Sequence, residues 1–294
     1  MQPTFSIVDV FAKEKYAGNQ LAVFRGAGSL SDKEMQKIAK EMNYSETTFL
    51  LSDEPQGGGY DVRIFTPEEE IPFAGHPTLG TAFVIQQELI RQPVETIVLN
   101  LKVGPIPVTF QYQNDFPDMM WMKQNPPVFG KTFDREQIAD LLQLASDEID
   151  DRFPVQEVST GLPAILVPLK NLHAVKRSRV DRTKYFELVN TTEAKAILVF
   201  SPETYEPDTH LNARVYVDCL GIPEDPATGS ANGNLAGYLV KYRYFAEDRI
   251  DIRVEQGYEI GRPSLLHLQA AESQSEIEIS VGGNVVMVAR GEWA

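Results

Sequence analysis

The chain has 294 residues, 43% of them hydrophobic, with a formal net charge of −15 and a pI of about 4.8. This length is sufficient for two domains that each bury a core, and the acidic balance argues against nucleic acid as a partner, because binding a phosphate backbone requires a basic surface. The start of the chain lacks a signal-peptide pattern and no apolar run reaches membrane-spanning length. We therefore expect a cytoplasmic protein with no membrane partner.

The first predicted elements are two strands and a well-marked helix. Residues 5–11 and 21–24 have strand patterns. Ser31 is the expected N-cap of the helix, and Glu34, three positions later, completes a capping box. The apolar stripe of this helix ends near Asn43, where we expect the helix to end.

The next segment predicts a hairpin followed by a second helix. Residues 47–51 and 60–65 have strand patterns, and the glycines at 57–59 predict the tip between them. Pro77 is expected at the first position of the second helix, where proline is tolerated. Residues 97–112 alternate in the manner of strands.

The second half retraces the first. Residues 161–167 resemble the segment around the second strand, residues 134–144 predict a helix, and residues 196–200 predict a short strand. We place the domain boundary so that the domains comprise 1–118 and 119–294, and the C-terminal strand is a candidate to complete the first domain.

An internal sequence repeat supports the division into two similar domains. Residues 63–65 are followed by an Ile-Pro pair at 71–72 and a glycine-bearing helix start, and residues 214–216 are followed with the same spacing by an Ile-Pro pair at 222–223. Three extra residues, which we assign to the acidic stretch 224–225, then precede a second glycine-bearing helix start. Each half therefore predicts a strand, a glycine turn and a helix.

The two glycine turns, at Gly75 and Gly229, suggest an anion site. A glycine lets a ligand approach the backbone, and the amides of a first helical turn lack intrahelical partners. Two such turns on similar domains would grip one small carboxylate. The alternative is that both glycines only permit tight turns, as lone motifs of this kind are weakly specific.

Cysteine and histidine content argues against a disulfide and a metal site. Cys219 is the single cysteine, which excludes an internal disulfide. It is either a nucleophile or a small buried side chain at the end of a strand, and we favour the second role. The four histidines show no metal-ligand spacing, so no metal is expected.

Three residues are candidates for proton transfer. Glu46 begins a strand whose other residues are apolar or hydroxylated, so that desolvation would raise its pKa toward neutrality. It could instead be a solvated edge residue or an ion-pair partner of Arg63. His76 and Asp225 flank the two glycine turns, although Asp225 is also a typical turn residue before a proline.

Four segments resemble the PhzF family of phenazine-biosynthesis-type isomerases. They are residues 43–49 (NYSETTF), 71–78 (IPFAGHPT), 225–231 (DPATGSA) and 18–23 (GNQLAV). The resemblance implies an α+β fold of the diaminopimelate epimerase type: two pseudo-symmetric domains, each a curved, mostly antiparallel, barrel-like sheet around a central helix, with the active site in the cleft between them.

The resemblance also implies roles for individual residues. It assigns proton shuttling to Glu46, holding or protonation of polar substrate groups to His76 and Asp225, orientation of Glu46 to Ser45, and carboxylate binding to the amides around Gly75, His76, Gly229 and Ser230. Epimerases carry two catalytic cysteines at the glycine turns, whereas Ala74 and Thr228 stand at about those places here. A two-thiol racemisation is therefore not expected.

We expect an isomerase of a small carboxylate that requires no cofactor and forms a homodimer. One alternative is an epimerase or racemase of an amino-acid-like substrate, with Asp225 as a second base opposite Glu46. Another is a binding protein that retains the enzyme fold, against which the presence of Glu46, His76 and Asp225 argues.

Overall fold

The computed structural model describes residues 3–274 and 276–294. The chain divides into two units, the first comprising Met1–Lys123 and Gly282–Ala294 and the second comprising Gln124–Val281. Both units combine a sheet with a few helices, so the fold is of the α+β class.

The strands in chain order are β1 (Thr4–Val10), β2 (Asn19–Arg25), β3 (Glu46–Leu50), β4 (Tyr60–Phe65), β5 (Glu70–Ile71), β6 (Thr96–Leu101), β7 (Gly104–Gln113), β8 (Phe116–Gln124), β9 (Val128–Thr132), β10 (Gln156–Ser159), β11 (Pro163–Pro168), β12 (Ala196–Ser201), β13 (Leu211–Val217), β14 (Ile222–Asp225), β15 (Arg249–Gln256), β16 (Ser264–Ser273), β17 (Glu276–Gly283) and β18 (Val285–Glu292). The helices are α1 (Asp32–Met42), α2 (Gly75–Ile85), α3 (Arg135–Leu141), α4 (Leu172–Arg177), α5 (Arg182–Val189) and α6 (Gly229–Lys241).

Strand pairing repeats between the units. In the first unit β1 pairs antiparallel with β2, β2 parallel with β3, β3 antiparallel with β4, β4 antiparallel with β5 and parallel with β6, and β6 antiparallel with β7. In the second unit β10 to β16 show the same sequence of pairings in the same orientations. The repeat seen in the sequence is therefore a repeat of topology.

The registers match residue by residue. Leu21 pairs with Glu46 in the parallel ladder of β2 and β3, and Ala164 pairs with Ala196 in the ladder of β11 and β12. The next strand then places an arginine at the same register position in each unit. Ala196 is thus the counterpart of Glu46.

The register corrects the expected position of the three extra residues. Phe65 pairs with Glu70 in the first unit, and Tyr216 pairs with Glu224 in the second, where the turn between the paired strands is three residues longer. The insertion therefore lies between Tyr216 and Glu224, within residues 217–223. The expectation that Asp225 belongs to it is wrong, because Asp225 continues the ladder at the position of Ile71.

An arginine–glutamate ion pair occurs at the same place in both units. Arg63 binds Glu70 through two hydrogen bonds of 2.8 and 2.7 Å. Arg214 binds Glu224 through two hydrogen bonds of 3.0 and 2.7 Å. The recurrence of this bidentate pair supports the register correspondence independently of the backbone ladder.

One central helix is enclosed in each unit. Every residue of α2 is buried, and α2 contacts β1, β2, β3, β6, β7 and β18. Most residues of α6 are also buried. Both helices are apolar or small-sided all round, which is typical of a helix enclosed by other elements. The helix α2 begins at Gly75, so Pro77 occupies its third position and not the first as expected.

The outer helix α1 agrees with its local signals. Ser31 and Glu34 form the predicted capping box, and Asn43 ends the helix with a φ of 55°. The apolar side of α1 packs onto aromatic residues of the strands beneath, including Phe24 and Phe49. Within the described part of the chain, no helix is long and apolar enough to cross a membrane.

Candidate active site

Glu46 is the first residue of β3, a strand that pairs with β2 on one side and with β4 on the other. The left-handed Asn43 ends α1, and the chain enters β3 three residues later. The Glu46 side chain is 16% exposed, whereas the rest of β3 is buried. Ser45, which precedes it, is half-buried. This arrangement presents one carboxylate at the start of an otherwise enclosed strand.

His76 faces this carboxylate. It is the second residue of α2, its side chain is 5% exposed, and its Nε2 atom lies 3.4 Å from Oε2 of Glu46. Arg63, considered above as a partner of Glu46, instead pairs with Glu70 and Asp32, with nitrogen–oxygen distances of 2.7 and 2.6 Å. The structure therefore brings two of the predicted catalytic residues together.

Burial keeps His76 neutral. Desolvation lowers the pKa of His76 to about 3, against the smaller opposing effect of a hydrogen bond with the backbone of Gln20. A neutral imidazole at physiological pH can donate one hydrogen bond and accept another. It cannot act there as an imidazolium acid.

Asn19 holds the other nitrogen of the ring. Its Nδ2 atom lies 3.2 Å from Nδ1 of His76, and both side chains are buried. The roles of these two atoms depend on the tautomer: when the Asn19 amide donates to Nδ1, the imidazole proton lies on Nε2, the nitrogen that lies 3.4 Å from Glu46. Asn19 lies within residues 18–23, which resemble a segment of the PhzF family, but no sequence signal marked Asn19 itself as part of the site.

A glycine makes the position of Asn19 attainable. Gly18 has a φ of +65°, and a Cβ atom there would lie 2.3 Å from the carbonyl oxygen of Val10. Only glycine fits this turn without displacing the backbone. The turn starts β2 with Asn19 directed into the interior.

The start of α2 leaves its first-turn amides without a side-chain cap. Its N-cap is Ala74, which has no side-chain acceptor, and Gly75 is the first helical residue. The N-terminal end of a helix carries partial positive charge and outward-pointing amides. The geometry at Gly75 and His76 is thus suited to a carboxylate.

The second unit builds a different polar site at the start of α6. Asp225 ends β14 and is 7% exposed, and the Thr228 hydroxyl donates a hydrogen bond of 2.5 Å to its Oδ2 atom. Thr228 is the N-cap of α6 but does not cap it through its side chain. Gly229 and Ser230 are the first two helical residues, so their amides belong to the uncapped turn.

Gln256 joins the elements of this second site. This fully buried side chain donates to the carbonyl oxygen of Asp225 over 2.8 Å and accepts from the amide of Thr228 over 3.2 Å. It also accepts from Nδ2 of Asn232 over 2.8 Å. No signal in the sequence marked Gln256 or Asn232, because the ladder of β13 and β15 is what brings Gln256 to this place.

Two further features considered in the sequence were a role for Cys219 and a metal site. Cys219 is half-buried, follows β13 in a short 3-10 helix and receives a hydrogen bond of 3.1 Å from the Tyr185 hydroxyl. Among residues 3–274 and 276–294, no three histidine, cysteine, aspartate or glutamate side chains are grouped so that they could hold a metal ion.

Comparisons with known proteins identify the family of the chain. Residues 8–291 match the family described as phenazine biosynthesis-like protein, PhzC-PhzF. The chain is 32% identical to trans-2,3-dihydro-3-hydroxyanthranilate isomerase of Pseudomonas aeruginosa, over 98% of each chain. It is 34% identical to an uncharacterised isomerase of Pasteurella multocida, over 98% of this chain and 93% of that protein.

Solved structures show the same fold. A Bacillus anthracis phenazine biosynthesis protein of the PhzF family superposes with a TM-score of 0.91 at 25% identity, over 100% of both chains. A probable proline racemase from Agrobacterium radiobacter shares the fold alone, with a TM-score of 0.66 at 11% identity over 99% of this chain and 93% of that one. The chain therefore belongs to the PhzF family, a family of isomerases.

Proposed function

We propose that the protein is a cofactor-independent isomerase of a small unsaturated carboxylate, in which Glu46 moves a proton from one carbon to another. The observation that carries the proposal is the contact between Glu46 and neutral His76 at the start of β3. A single partly buried carboxylate beside a neutral imidazole is suited to taking a proton and giving it back.

The substrate carboxylate supplies the activation. We assign its binding to the first-turn amides at Gly75 and His76, with Gly229 and Ser230 providing the equivalent amides in the second unit. Hydrogen bonds and helix dipoles directed at this carboxylate stabilise the negative charge that develops when the neighbouring C–H bond breaks. This electrostatic stabilisation lowers the barrier to proton removal.

The proton transfer is balanced within the substrate and Glu46. The Glu46 carboxylate removes the proton from carbon, and the electron pair of the broken C–H bond is delocalised over the adjacent double bonds. The resulting Glu46 carboxylic acid protonates a different carbon of the conjugated system, which restores the carboxylate. His76 and Asp225 hold polar substrate groups, and Ser45 orients Glu46.

The substrate class follows from the relatives and the site chemistry. The Pseudomonas aeruginosa relative is named for a ring carboxylate with an amino and a hydroxyl group. The buried side chains Asn19, His76 and Asp225 offer donors and acceptors of the kind that recognise such groups. We therefore assign small unsaturated amino- or hydroxy-carboxylates as substrates.

An epimerase or racemase is the second candidate. Asp225 is a buried carboxylate beside the second helix start, as a second base would be, and the fold is shared with a probable proline racemase. Against it, Ala74 and Thr228 are the N-cap residues at the two helix starts, so neither supplies the thiol of a two-cysteine mechanism.

Solvent-deuterium exchange tests the proposal. Wild type, Glu46→Gln and the exposed control Glu54→Gln are incubated in deuterium oxide with a panel of unsaturated amino- and hydroxy-carboxylates that includes trans-2,3-dihydro-3-hydroxyanthranilate, and incorporation is read by mass spectrometry. We expect exchange with wild type and Glu54→Gln and none with Glu46→Gln. Wild-type exchange in folded Glu46→Gln would refute the assignment.

A further inference from the structure

The polar side chains around Asp225 form one connected chain of hydrogen bonds. We call it the Gln256 network and define it as Asp225, Thr228, Asn232 and Gln256. All of its members except Thr228 are buried, and Thr228 is half-buried. Buried groups joined in this way specify one arrangement, because each unsatisfied partner would be costly.

The direction of the hydrogen bonds is fixed by chemistry. Nδ2 of Asn232 donates to Oε1 of Gln256 over 2.8 Å, and Nε2 of Gln256 donates to the Thr228 hydroxyl over 3.1 Å. Because an amide nitrogen can only donate, the Thr228 hydroxyl oxygen accepts a hydrogen bond from Gln256. The Thr228 hydroxyl then donates its own proton to Asp225 over 2.5 Å. The network thus ends on Asp225 as an acceptor.

Gln256 also binds the backbone on both sides of the turn. Its amide bonds the carbonyl oxygen of Asp225 and the N–H of Thr228, at 2.8 and 3.2 Å. The following residue, Gly257, has a φ of +78°, and a Cβ atom there would lie 2.6 Å from the carbonyl oxygen of Pro226. The residue after β15 therefore packs closely against the turn that connects Asp225, at the end of β14, to α6.

The first unit lacks the Gln256 network. The strand registers and the equal spacing to the helix start match the four members, in chain order, with Ile71, Ala74, Thr78 and Leu101. Of these only Thr78 is polar, and its hydroxyl bonds the carbonyl oxygen of Ala74 over 2.7 Å. The first unit forms the same strand, turn and central helix, so the fold of the repeat does not require the network.

We infer that Thr228 and Gln256 are positioning residues of the reaction, which hold the Asp225 carboxylate and the first turn of α6 in the geometry that the substrate needs. The inference rests on the proposed function and adds to it two residues that act through Asp225. A displacement of about 1 Å in such a group can lower turnover by about 100-fold.

The test compares Thr228→Val, Thr228→Ser and Gln256→Leu with wild type. The control is Thr209→Val, since the Thr209 hydroxyl also donates to a carboxylate, Glu255, over 2.7 Å in the same unit. With an active substrate we expect Thr228→Val and Gln256→Leu to lower kcat about 10- to 100-fold with KM changed less than about 3-fold. Thr228→Ser keeps the hydroxyl and should return to within about 3-fold of wild type.

Double substitution adds a readout that general destabilisation would not produce. Because Thr228 and Gln256 act through the same carboxylate, the double variant Thr228→Val/Gln256→Leu should lose little more activity than either single variant. Independent, multiplicative losses, or a Thr228→Val enzyme that turns over within twofold of wild type, would overturn the inference.

Crystal structures separate this inference from the proposed function. In Thr228→Val we expect Asp225 to change rotamer, and in Gln256→Leu we expect residues 225–228 to shift. An unmoved Asp225 in both variants would overturn the positioning role whatever the activity. If Thr228→Val and Gln256→Leu keep the kcat of wild type while deuterium exchange still depends on Glu46, the inference alone is refuted. If exchange persists in Glu46→Gln, the proposed function alone is refuted.

Discussion

The two units build the same scaffold and place different chemistry on it. They share the order and orientation of strand pairings, the enclosed helix and the bidentate arginine–glutamate pair. A further hydrogen bond recurs with the side chains exchanged: Asn100 donates to Asp61 in the first unit, and Asn212 donates to Glu255 in the second.

The differences concentrate at the candidate active residues. Glu46 corresponds to Ala196, and Asp225 corresponds to Ile71. Gln256 likewise corresponds to Leu101. Features shared by the units are those that the repeat needs to fold, whereas polar groups found in only one unit are candidates for function. The predictions below test this division.

The largest expected effect comes from replacing Glu46, the candidate catalytic carboxylate of the first unit, and it is compared with replacing Asp225, that of the second. Under the proposed mechanism, Glu46→Gln should lower kcat by about 10³-fold or more because it removes the proposed proton carrier. Asp225→Asn should lower kcat by about 10²-fold because it weakens only the proposed positioning of the substrate. Steady-state kinetics on the substrate found by deuterium exchange measures both. Near-equal losses would favour a two-base epimerase.

The second prediction concerns the shared ion pair. Arg214 and Glu224 are each 6% exposed, whereas Arg63 and Glu70 are 22% and 15% exposed. Removing one partner of a well-buried pair is more costly, so Glu224→Gln should destabilise by about 3 kcal/mol and Glu70→Gln by about 1 kcal/mol. Urea unfolding followed by circular dichroism compares them.

The contribution of Glu70 to stability is also expected to depend on pH. Hydrogen bonds from Arg63 lower the pKa of Glu70 to about 2. The pair should therefore stabilise the fold fully above pH ~4.5 and lose its contribution as the pH falls toward ~2. Equal losses of stability in Glu224→Gln and Glu70→Gln at neutral pH would contradict the argument from burial.

A third prediction transfers a residue of the Gln256 network to the first unit. Leu101 is 7% exposed and is the counterpart of Gln256. Leu101→Gln would bury an amide in the first unit, where the counterpart of Thr228 is Ala74 and offers no side-chain partner, and should destabilise the protein by about 2 kcal/mol. Thermal unfolding measures the loss, with the exposed Val103→Gln as the control. If Leu101→Gln leaves the thermal stability unchanged, the first unit can accommodate a buried amide at the position of Gln256.

The last prediction concerns the pH dependence due to His76. Burial lowers the pKa of His76 to about 3 in the folded state, while the unfolded state titrates near 6.5. The unfolded state therefore binds more protons between these values, and stability falls as the pH decreases below ~6.5. We expect a loss of about 1.4 kcal/mol between pH ~7.5 and ~5.5 from this group.

His76→Asn should remove this contribution. The difference in unfolding free energy between the two pH values should shrink by about that amount in the variant. Denaturant titrations at both pH values, with the exposed His173→Asn as the control, measure it. An unchanged slope in His76→Asn would mean that His76 is not held neutral.

Sequence alone predicts the features of this protein that are determined locally. The capping box of Ser31 and Glu34 was predicted and is confirmed by the structure. The α+β class and the family were identified from short motifs, and the comparisons confirm both. Glu46 was singled out as the charged start of an otherwise apolar or hydroxylated strand and His76 as a neighbour of a glycine turn, and both also lie in segments that resemble the family.

Features set by strand register escaped prediction. The insertion was assigned to the stretch around Asp225, because local spacing cannot show which residues of a ladder face each other. Gln256 lies 31 positions beyond Asp225 and reaches it only through the parallel ladder of β13 and β15. The contact of His76 with Glu46 likewise depends on the packing of α2 against β3.

The pairing of Glu46 with Ala196 has a stereochemical consequence. In the proposed mechanism, a proton carrier with no counterpart in the other unit approaches the substrate from one side, and the proton that leaves one face of the molecule should return to that same face. We therefore expect a suprafacial transfer. A deuterium label placed on the departing position should be partly retained in the product, to the extent that the Glu46 carboxylic acid returns it before exchanging with water.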